Sequence, residues 1–280
     1  MNEKKNWLIT GCSTGFGREL AKYVGSQGHQ VVATVRKPSQ IEEVEALAPG
    51  NIKAILMDVQ DVNQINTGVE ETLKSFGRID VLVNNAGYGE MGTIEEVGEA
   101  GSQRQMDVNV HGPLRLMRAI LPSMREQRSG FIINITSIAG LRGAPGLGVY
   151  NASKFALEGI GEALAAEVKH LGIHVTNVEP GPFRTKWAGE SATYNMKSHP
   201  DYTESAGAIM TMLQGRDGNQ PGDPAKGAAA IYKLTQLDHP PVHLPLGNFA
   251  YEAALEKMDA MKTEIKAFEH VGRRTDFDDA

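Results

Sequence analysis

The chain has 280 residues, 41% of them hydrophobic, and a formal net charge of −6. That length suits one large α/β domain, and the acidic balance speaks against a nucleic-acid binder, which needs excess Lys and Arg to neutralise phosphates. A single cysteine, Cys12, excludes an intrachain disulfide and fits a reducing compartment. The opening Met1-Asn2-Glu3-Lys4-Lys5 leads into an apolar run too short for a signal peptide. No stretch approaches the ~20 apolar residues that span a bilayer. A cytoplasmic protein without membrane or nucleic-acid partners is therefore expected.

Taken in order, Trp7-Leu8-Ile9 reads as a short buried strand that ends in a glycine-bearing turn. The helix after it carries Phe16, Leu20, Tyr23 and Val24 at helical spacing, and Gly28 is its stop. Val31 to Val35 is a second, β-branched strand, and Pro38-Ser39 opens a helix through Ile41, Val44 and Leu47. The alternation continues with a strand from Ile52 to Met57, a helix from Val62 to Phe76 and a strand from Ile79 to Val83. A long helix from about Ser102 to Arg125, the strand Phe131 to Ile135, a helix from about Val149 to Leu171 and the strand Ile173 to Val178 complete it. Strands that are nearly all apolar belong in a parallel sheet covered on both faces. Six of them alternating with helices predict an α/β doubly wound parallel sheet.

Beyond Pro180 the rhythm changes. Residues 186–222 are polar and irregular, with Trp187, Tyr194, Met196 and Met210 scattered through them, and predict a substrate lid with an apolar pocket. Asp223-Pro224 then starts a helix to about Leu237, with Asp at the N-cap and Pro at N1. Pro240-Pro241 precedes a short run, Val242-His243-Leu244; a helical stretch, 248–270, and a loose tail from Arg273 follow. One domain is expected, with a core over 6–185 and C-terminal helices over 223–280.

Two constellations carry chemistry. In Thr10-Gly11-Cys12-Ser13-Thr14-Gly15-Phe16-Gly17 the glycines let the backbone turn sharply and approach a pyrophosphate, to which the helix N-terminus offers free N–H groups. Tyr150 and Lys154 stand four residues apart on a helix and so share a face. A nearby ammonium favours the phenolate, which is expected to bring the phenol below its ordinary pKa of ~10.

These motifs, with Asn84-Asn85-Ala86-Gly87 after the fourth strand, Ser137 after the fifth, Asn109 followed by Gly112, and Pro180-Gly181, resemble the ordered signature of the short-chain dehydrogenase/reductase family over residues 6–185. The resemblance implies a Rossmann fold, a nicotinamide cofactor and a hydride transfer between a carbonyl and an alcohol. It makes Tyr150 the general acid/base, with Lys154 beside it, Ser137 on the substrate oxygen and Asn109 anchoring a water chain. It also implies cofactor contacts from Ser13 and Phe16 in the pyrophosphate turn, Asp58 and Val59 around the adenine, and Asn85, Ala86 and Gly87 along the adenosine ribose. Phe183 and Thr185 would orient the carboxamide. Family members usually form dimers or tetramers through helices on the sheet's faces, so a homo-oligomer is expected. A further likeness, to the hydroxysteroid and retinol dehydrogenase branch, rests on Arg36 and the longer C-terminus.

The end of the second strand selects the nicotinamide. An NAD site holds a carboxylate there to grip the ribose 2′-OH. Here Val35 is followed by Arg36 and Lys37, and a guanidinium suits a 2′-phosphate. Thr14 stands where many NADP-using relatives carry Lys or Arg. NADP is the expectation, and NAD the alternative. An NAD-linked alcohol dehydrogenase and a cofactor-sensing regulatory protein on the same fold remain the rival readings.

No metal site is expected. Gly172 separates His170 from His174, and His239 and His243 flank prolines as loop residues. His111 reads as packing, and so does Cys12, although a helix N-terminus can lower a thiol's pKa.

Overall fold

The computed structural model describes residues 4–187, 189, 192–195, 199–273 and 275–277. Met196, named above as a lid residue, lies outside them. Nine strands run in chain order as β1 (Asn6–Ile9), β2 (Gln30–Val35), β3 (Ile52–Leu56), β4 (Val81–Asn84), β5 (Gly89–Met91), β6 (Gly130–Ile135), β7 (Ile173–Pro180), β8 (Ala192–Tyr194) and β9 (His243–Leu246). The helices are α1 (Gly15–Ser26), α2 (Ile41–Glu45), α3 (Val62–Phe76), α4 (Glu99–Met106), α5 (Gly112–Gln127), α6 (Gly148–Val168), α7 (Ala208–Gly215), α8 (Pro224–Leu234), α9 (Asn248–Ala267) and α10 (Glu269–Gly272). None is long and apolar enough to cross a membrane among the described residues.

Seven strands form one parallel sheet in the order β3-β2-β1-β4-β6-β7-β9. Strand order reverses between β1 and β4, which opens a crevice at their carboxyl ends, where such sheets bind ligands. The strands are apolar on both sides because each face supports its own layer. One layer packs Trp7, Ile9, Val31, Val83 and Ile133 against α1 and α8; the other packs Leu8, Val32, Leu82 and Ile132 against α3, α5 and α6.

The six expected strands are present, and β9 adds a seventh. Pro245 within it lacks an N–H, which an edge strand tolerates, and this disguised it as a loop. A second small sheet, β5 with β8, ties the lid region to the body. The predicted helix over 102–125 is divided by a π-helical turn at Asp107–His111, a distortion that often marks functional sites. His111 on that turn faces solvent rather than packing.

Three buried asparagines cross the sheet at one level. Asn84, Asn134 and Asn177 are paired in register on β4, β6 and β7. The Asn84 Nδ2 donates to Asn134 Oδ1 at 2.9 Å, and Asn134 Nδ2 donates to Asn177 Oδ1 at 3.0 Å. Asn177 Nδ2 then donates to Glu158 Oε2 on α6 at 2.7 Å.

Candidate active site

The glycine turn leaves β1 with Gly11 at φ +71° and Gly15 at φ +62°, left-handed conformations that suit glycine. A hydroxyl fixes it in place. Thr10 Oγ1 accepts from the backbone N–H groups of Asn85, at 3.0 Å, and Ala86, at 2.9 Å. The Asn85 amide returns two bonds, donating to the Thr10 carbonyl at 2.7 Å and the Gly11 carbonyl at 3.1 Å. Its side chain is thus spent on bracing the loop. A Cβ at Gly17 would run into Asn85 Nδ2 and the Gly11 carbonyl. The backbone at Gly11 and Gly17 therefore leaves no space for side chains, the cradle a pyrophosphate requires.

A cavity of about 900 Å³ begins at this loop. Such a volume sits near the top of the ~300–1,000 Å³ span of ligand pockets, enough for a dinucleotide with part of a substrate. Gly11, Ser13, Thr14, Gly15 and Phe16 line one end with Arg36, Asp58 and Val59. Asn85, Ala86 and Gly87 follow, then Ser137, Tyr150 and Lys154; Pro180, Gly181, Phe183 and Thr185 line it too, with the Phe183 ring 4.8 Å from that of Phe16. Gly17, Lys37 and Asn109 do not line it. Asp61 caps α3, accepting from the N–H groups of Asn63 and Gln64, which leaves Asp58 on the cavity wall. The Arg36 side chain is exposed and makes no ion pair or hydrogen bond among the described residues.

Tyr150 lies in the first turn of α6, whose start is laced to the preceding loop by Asn151. That amide donates to the carbonyls of Ala139 at 2.8 Å and Arg142 at 3.1 Å, and accepts from Ala144 N–H at 3.1 Å. Ser137 stands close enough to the Tyr150 phenol to favour its ionised form, and its hydroxyl accepts from Ala139 N–H at 3.1 Å. Trp187 from the lid lies over the Tyr150 ring at 4.9 Å. Lys154 Nζ lies 5.9 Å from that ring's centre and donates to the Ile135 carbonyl at 2.9 Å.

The titration of these groups corrects one expectation. Burial pushes the Tyr150 phenol up to about 12, with Ser137 pulling the other way, so the lysine does not bring it below its ordinary value. Burial also lowers Lys154 to about 8, opposed by the negative charge of Glu158 one turn further on. Desolvation outweighs the tyrosine–lysine attraction because both groups are enclosed. At neutral pH the site therefore holds a phenol proton and an ammonium.

Asn109 sits in the π turn, buried, and accepts from Tyr88 N–H at 3.1 Å. It donates to the Tyr88 carbonyl at 3.0 Å and to Ser153 Oγ at 3.1 Å. Its side chain is held beside the strand end that carries Gly87, not on Tyr150.

Behind Lys154 lies a group that the sequence did not reveal. His243 is on β9, not in a loop, and its Nδ1 is 2.9 Å from Glu179 Oε1 and 3.5 Å from Glu158 Oε2. Burial, reinforced by the charge of Glu158, pushes Glu179 up to about 9, so this carboxyl keeps its proton at neutral pH. That proton removes the repulsion between two enclosed carboxylates. Cys12 is enclosed too, as the packing reading expects, and burial raises its thiol to about 12. Met210 is part of a small apolar cluster with Met91 and Leu147, while Ile209, Met212 and Leu213 face the cavity.

Residues 5–195 match the model of the short chain dehydrogenase family. A 3-ketodihydrosphingosine reductase of Bacteroides thetaiotaomicron is 38% identical over 241 residues, 86% of this chain and 87% of that protein. Retinol dehydrogenase 8 of Homo sapiens is 41% identical over 187 residues, 65% of this chain and 60% of that protein, which fits the hydroxysteroid and retinol branch. A short-chain dehydrogenase from Streptomyces avermitilis superposes with a TM-score of 0.92 at 39% identity, covering 99% of this chain and 100% of that one. Two solved structures at 28% identity and TM-score 0.71 hold nicotinamides. ElxO, with NADP, covers 86% of this chain and 96% of its own; a 3-ketoacyl-(acyl-carrier-protein) reductase from Brucella melitensis, with NADH, covers 84% and 91%. The ordered motifs, the crevice between β1 and β4 and these likenesses agree: this chain belongs to the short-chain dehydrogenase family and is an oxidoreductase built for a nicotinamide cofactor.

Proposed function

We propose that the protein is an NADP(H)-dependent reductase that interconverts a hydrophobic ketone or aldehyde and its alcohol. The observation that carries this reading is the single cavity, which joins Arg36 and the glycine turn to the Ser137–Tyr150 pair beneath Trp187. The turn from Gly11 to Gly17 and the α1 N-terminus would hold the pyrophosphate, and Arg36 the 2′-phosphate. When bound, the nicotinamide supplies or accepts the hydride. Ser137 holds the substrate oxygen and Tyr150 gives it the phenolic proton; oxidation is the reverse. The raised Tyr150 value keeps that proton in place at neutral pH, which suits reduction. Lys154 keeps the site positively charged below about pH 8.

The apolar wall of Trp187, Ile209, Met212 and Leu213 supports a hydrophobic substrate. The names of the ketodihydrosphingosine reductase and the retinol dehydrogenase point the same way. The test is KM for NADPH and NADH with a panel of ketones, aldehydes and alcohols. NADPH should have the much lower KM, and Arg36→Ala should narrow the gap. Equal KM values in the unmutated enzyme would overturn the NADP assignment. Cofactor binding without turnover of any panel member would overturn the reductase.

A further inference from the structure

The charges around the active-site cavity are one-sided. Arg36, Arg104, Arg142, Lys154, Lys186 and Arg216 line it. Asp58, at the Arg36 end, is the only carboxylate among the described residues that do so. The whole chain has a net charge of −6, so this is a local excess of cations on an acidic protein. A cleft of one sign concentrates ligands of the other. Four of the six cations have a place elsewhere. Arg36 lies at the glycine-turn end and Lys154 beside Tyr150, while Arg104 lies over the Tyr88 ring at 5.9 Å. Lys186 follows Thr185, which sits against the pyrophosphate turn: a Cβ at Gly15 would lie 3.5 Å from Thr185 Cβ.

Arg142 and Arg216 belong to the substrate end. Arg142 lies in the loop that joins Ser137 to Tyr150. Arg216 closes α7, whose cavity-lining residues are Ile209, Met212, Leu213 and Arg216. Their spacing puts them on one helical face, apolar for roughly 10 Å and then cationic. Ala144 of the loop, Trp187 of the lid and Ile209 and Leu213 of α7 pack around Leu147 and Met210 in one apolar cluster. Hydrocarbon therefore leads from the ring over Tyr150 to the two guanidiniums. The Arg216 side chain is exposed and makes no ion pair or hydrogen bond among the described residues. Asp217, next in the chain, faces the lid instead: a Cβ at Gly189 would lie 2.6 Å from its Oδ2. Arg142 Nη1 meets Glu256 Oε2 at 3.4 Å, but these side chains are 53% and 71% exposed, which makes the pair weak.

We infer, on the reductase reading of this cavity, that Arg142 and Arg216 form an anion subsite and that the substrate is an anionic amphiphile. It is a carbonyl compound with an apolar body and a carboxylate, sulfate or phosphate at its far end. The body lies along Trp187, Ile209 and Leu213, and the guanidiniums hold the anionic oxygens with paired N–H groups. A neutral end gains nothing from either arginine, and an ammonium is repelled by both.

Methyl ketones matched in length and ending in a carboxylate, a methyl group or an ammonium test this, with NADPH saturating. Exposed ion pairs are each worth a few-fold, so the carboxylate should exceed the methyl-ended ketone in kcat/KM by about tenfold, mostly through KM. The ammonium should be the poorest substrate, and added salt should narrow the spread. Arg142→Gln should narrow it several-fold, and Arg216→Glu should invert the order. Equal kcat/KM for the three ends, or an order that Arg216→Glu leaves unchanged, would overturn the subsite and leave the reductase standing. A second arm needs no turnover: decanoate, decanol and decylamine are titrated into the NADP-loaded enzyme, with Trp187 fluorescence as the signal. Decanoate should bind about tenfold more tightly than decanol, and equal Kd values would overturn the subsite. Tighter binding of decanoate without turnover of any ketone would uphold the subsite and overturn the reductase.

Discussion

Replacing Gly17 with alanine sets two forces against each other. In the interior of an exposed helix the change is favourable by ~0.8–1.0 kcal/mol, because alanine loses less backbone freedom. Gly17 is the third residue of α1, but a methyl group there would lie 2.5 Å from the Gly11 carbonyl oxygen and against Asn85 Nδ2. Overpacking of this kind costs ~1–3 kcal/mol. Displacing the Asn85 amide also gives up its bonds to the Thr10 and Gly11 carbonyls, at ~0.5–1.5 kcal/mol each. The clash wins, with a net loss of ~1–5 kcal/mol shared between stability and the shape of the turn. NADPH affinity, read by titrating its fluorescence, should fall tenfold or more, since ~1.4 kcal/mol is one decade. The melting temperature should fall by several degrees. A Gly17→Ala protein that melts higher and binds NADPH within twofold of the parent would refute the bracing role given to Asn85.

Three further outcomes are expected. Tyr150→Phe should bind NADPH as the parent does while turnover falls by ~10²–10⁴, the usual contribution of a positioned acid; substantial residual activity would remove Tyr150 from its role. The rate of reduction should decline as pH rises through about 8, where Lys154 loses its proton, and Glu158→Gln should move that decline to lower pH. The sign follows from removing a negative charge that favours the ammonium, and pH profiles that overlay would exclude this coupling. Asn134→Ala should lower the urea midpoint with an unchanged slope, by ~2–4 kcal/mol, because it strands the Asn84 donor and the Asn177 acceptor; a loss under about 0.5 kcal/mol would show the chain of amides to be dispensable.

Much of this molecule is written in local sequence. The apolar strands, the glycines at 11, 15 and 17 and the helix from Val62 to Phe76 are legible because each depends on neighbours close in the chain. Tyr150 and Lys154 are legible by spacing, and their chain order with Ser137 explains why they share one cavity. What escaped depends on contacts across long separations. The β5–β8 pairing joins three-residue strands about a hundred residues apart, too short for any periodicity. His243 reads as a loop residue until β7 supplies Glu179 beside it. The protonation of Tyr150 is not legible in sequence for the same reason, since burial is a property of the whole fold and here raises the phenol despite a lysine on the same helix.

The row of asparagines across β4, β6 and β7 has a consequence for how the chain finds its pairing. Apolar parallel strands are nearly interchangeable, and a shifted alignment would bury much the same hydrocarbon. An amide is different, because it needs a hydrogen-bonding group opposite it, as Asn134 has in Asn84 and Asn177. The row works as a checksum: sliding β6 by one residue would put Asn134 on the wrong face and leave its neighbours without partners. The last digit of that checksum is Glu158, on the helix that carries Tyr150 and Lys154. Correct threading of the sheet centre and correct seating of the reactive helix are thus verified by the same string of bonds. A strand borrowed from a relative would be accepted only if it brings a hydrogen-bonding side chain to that level.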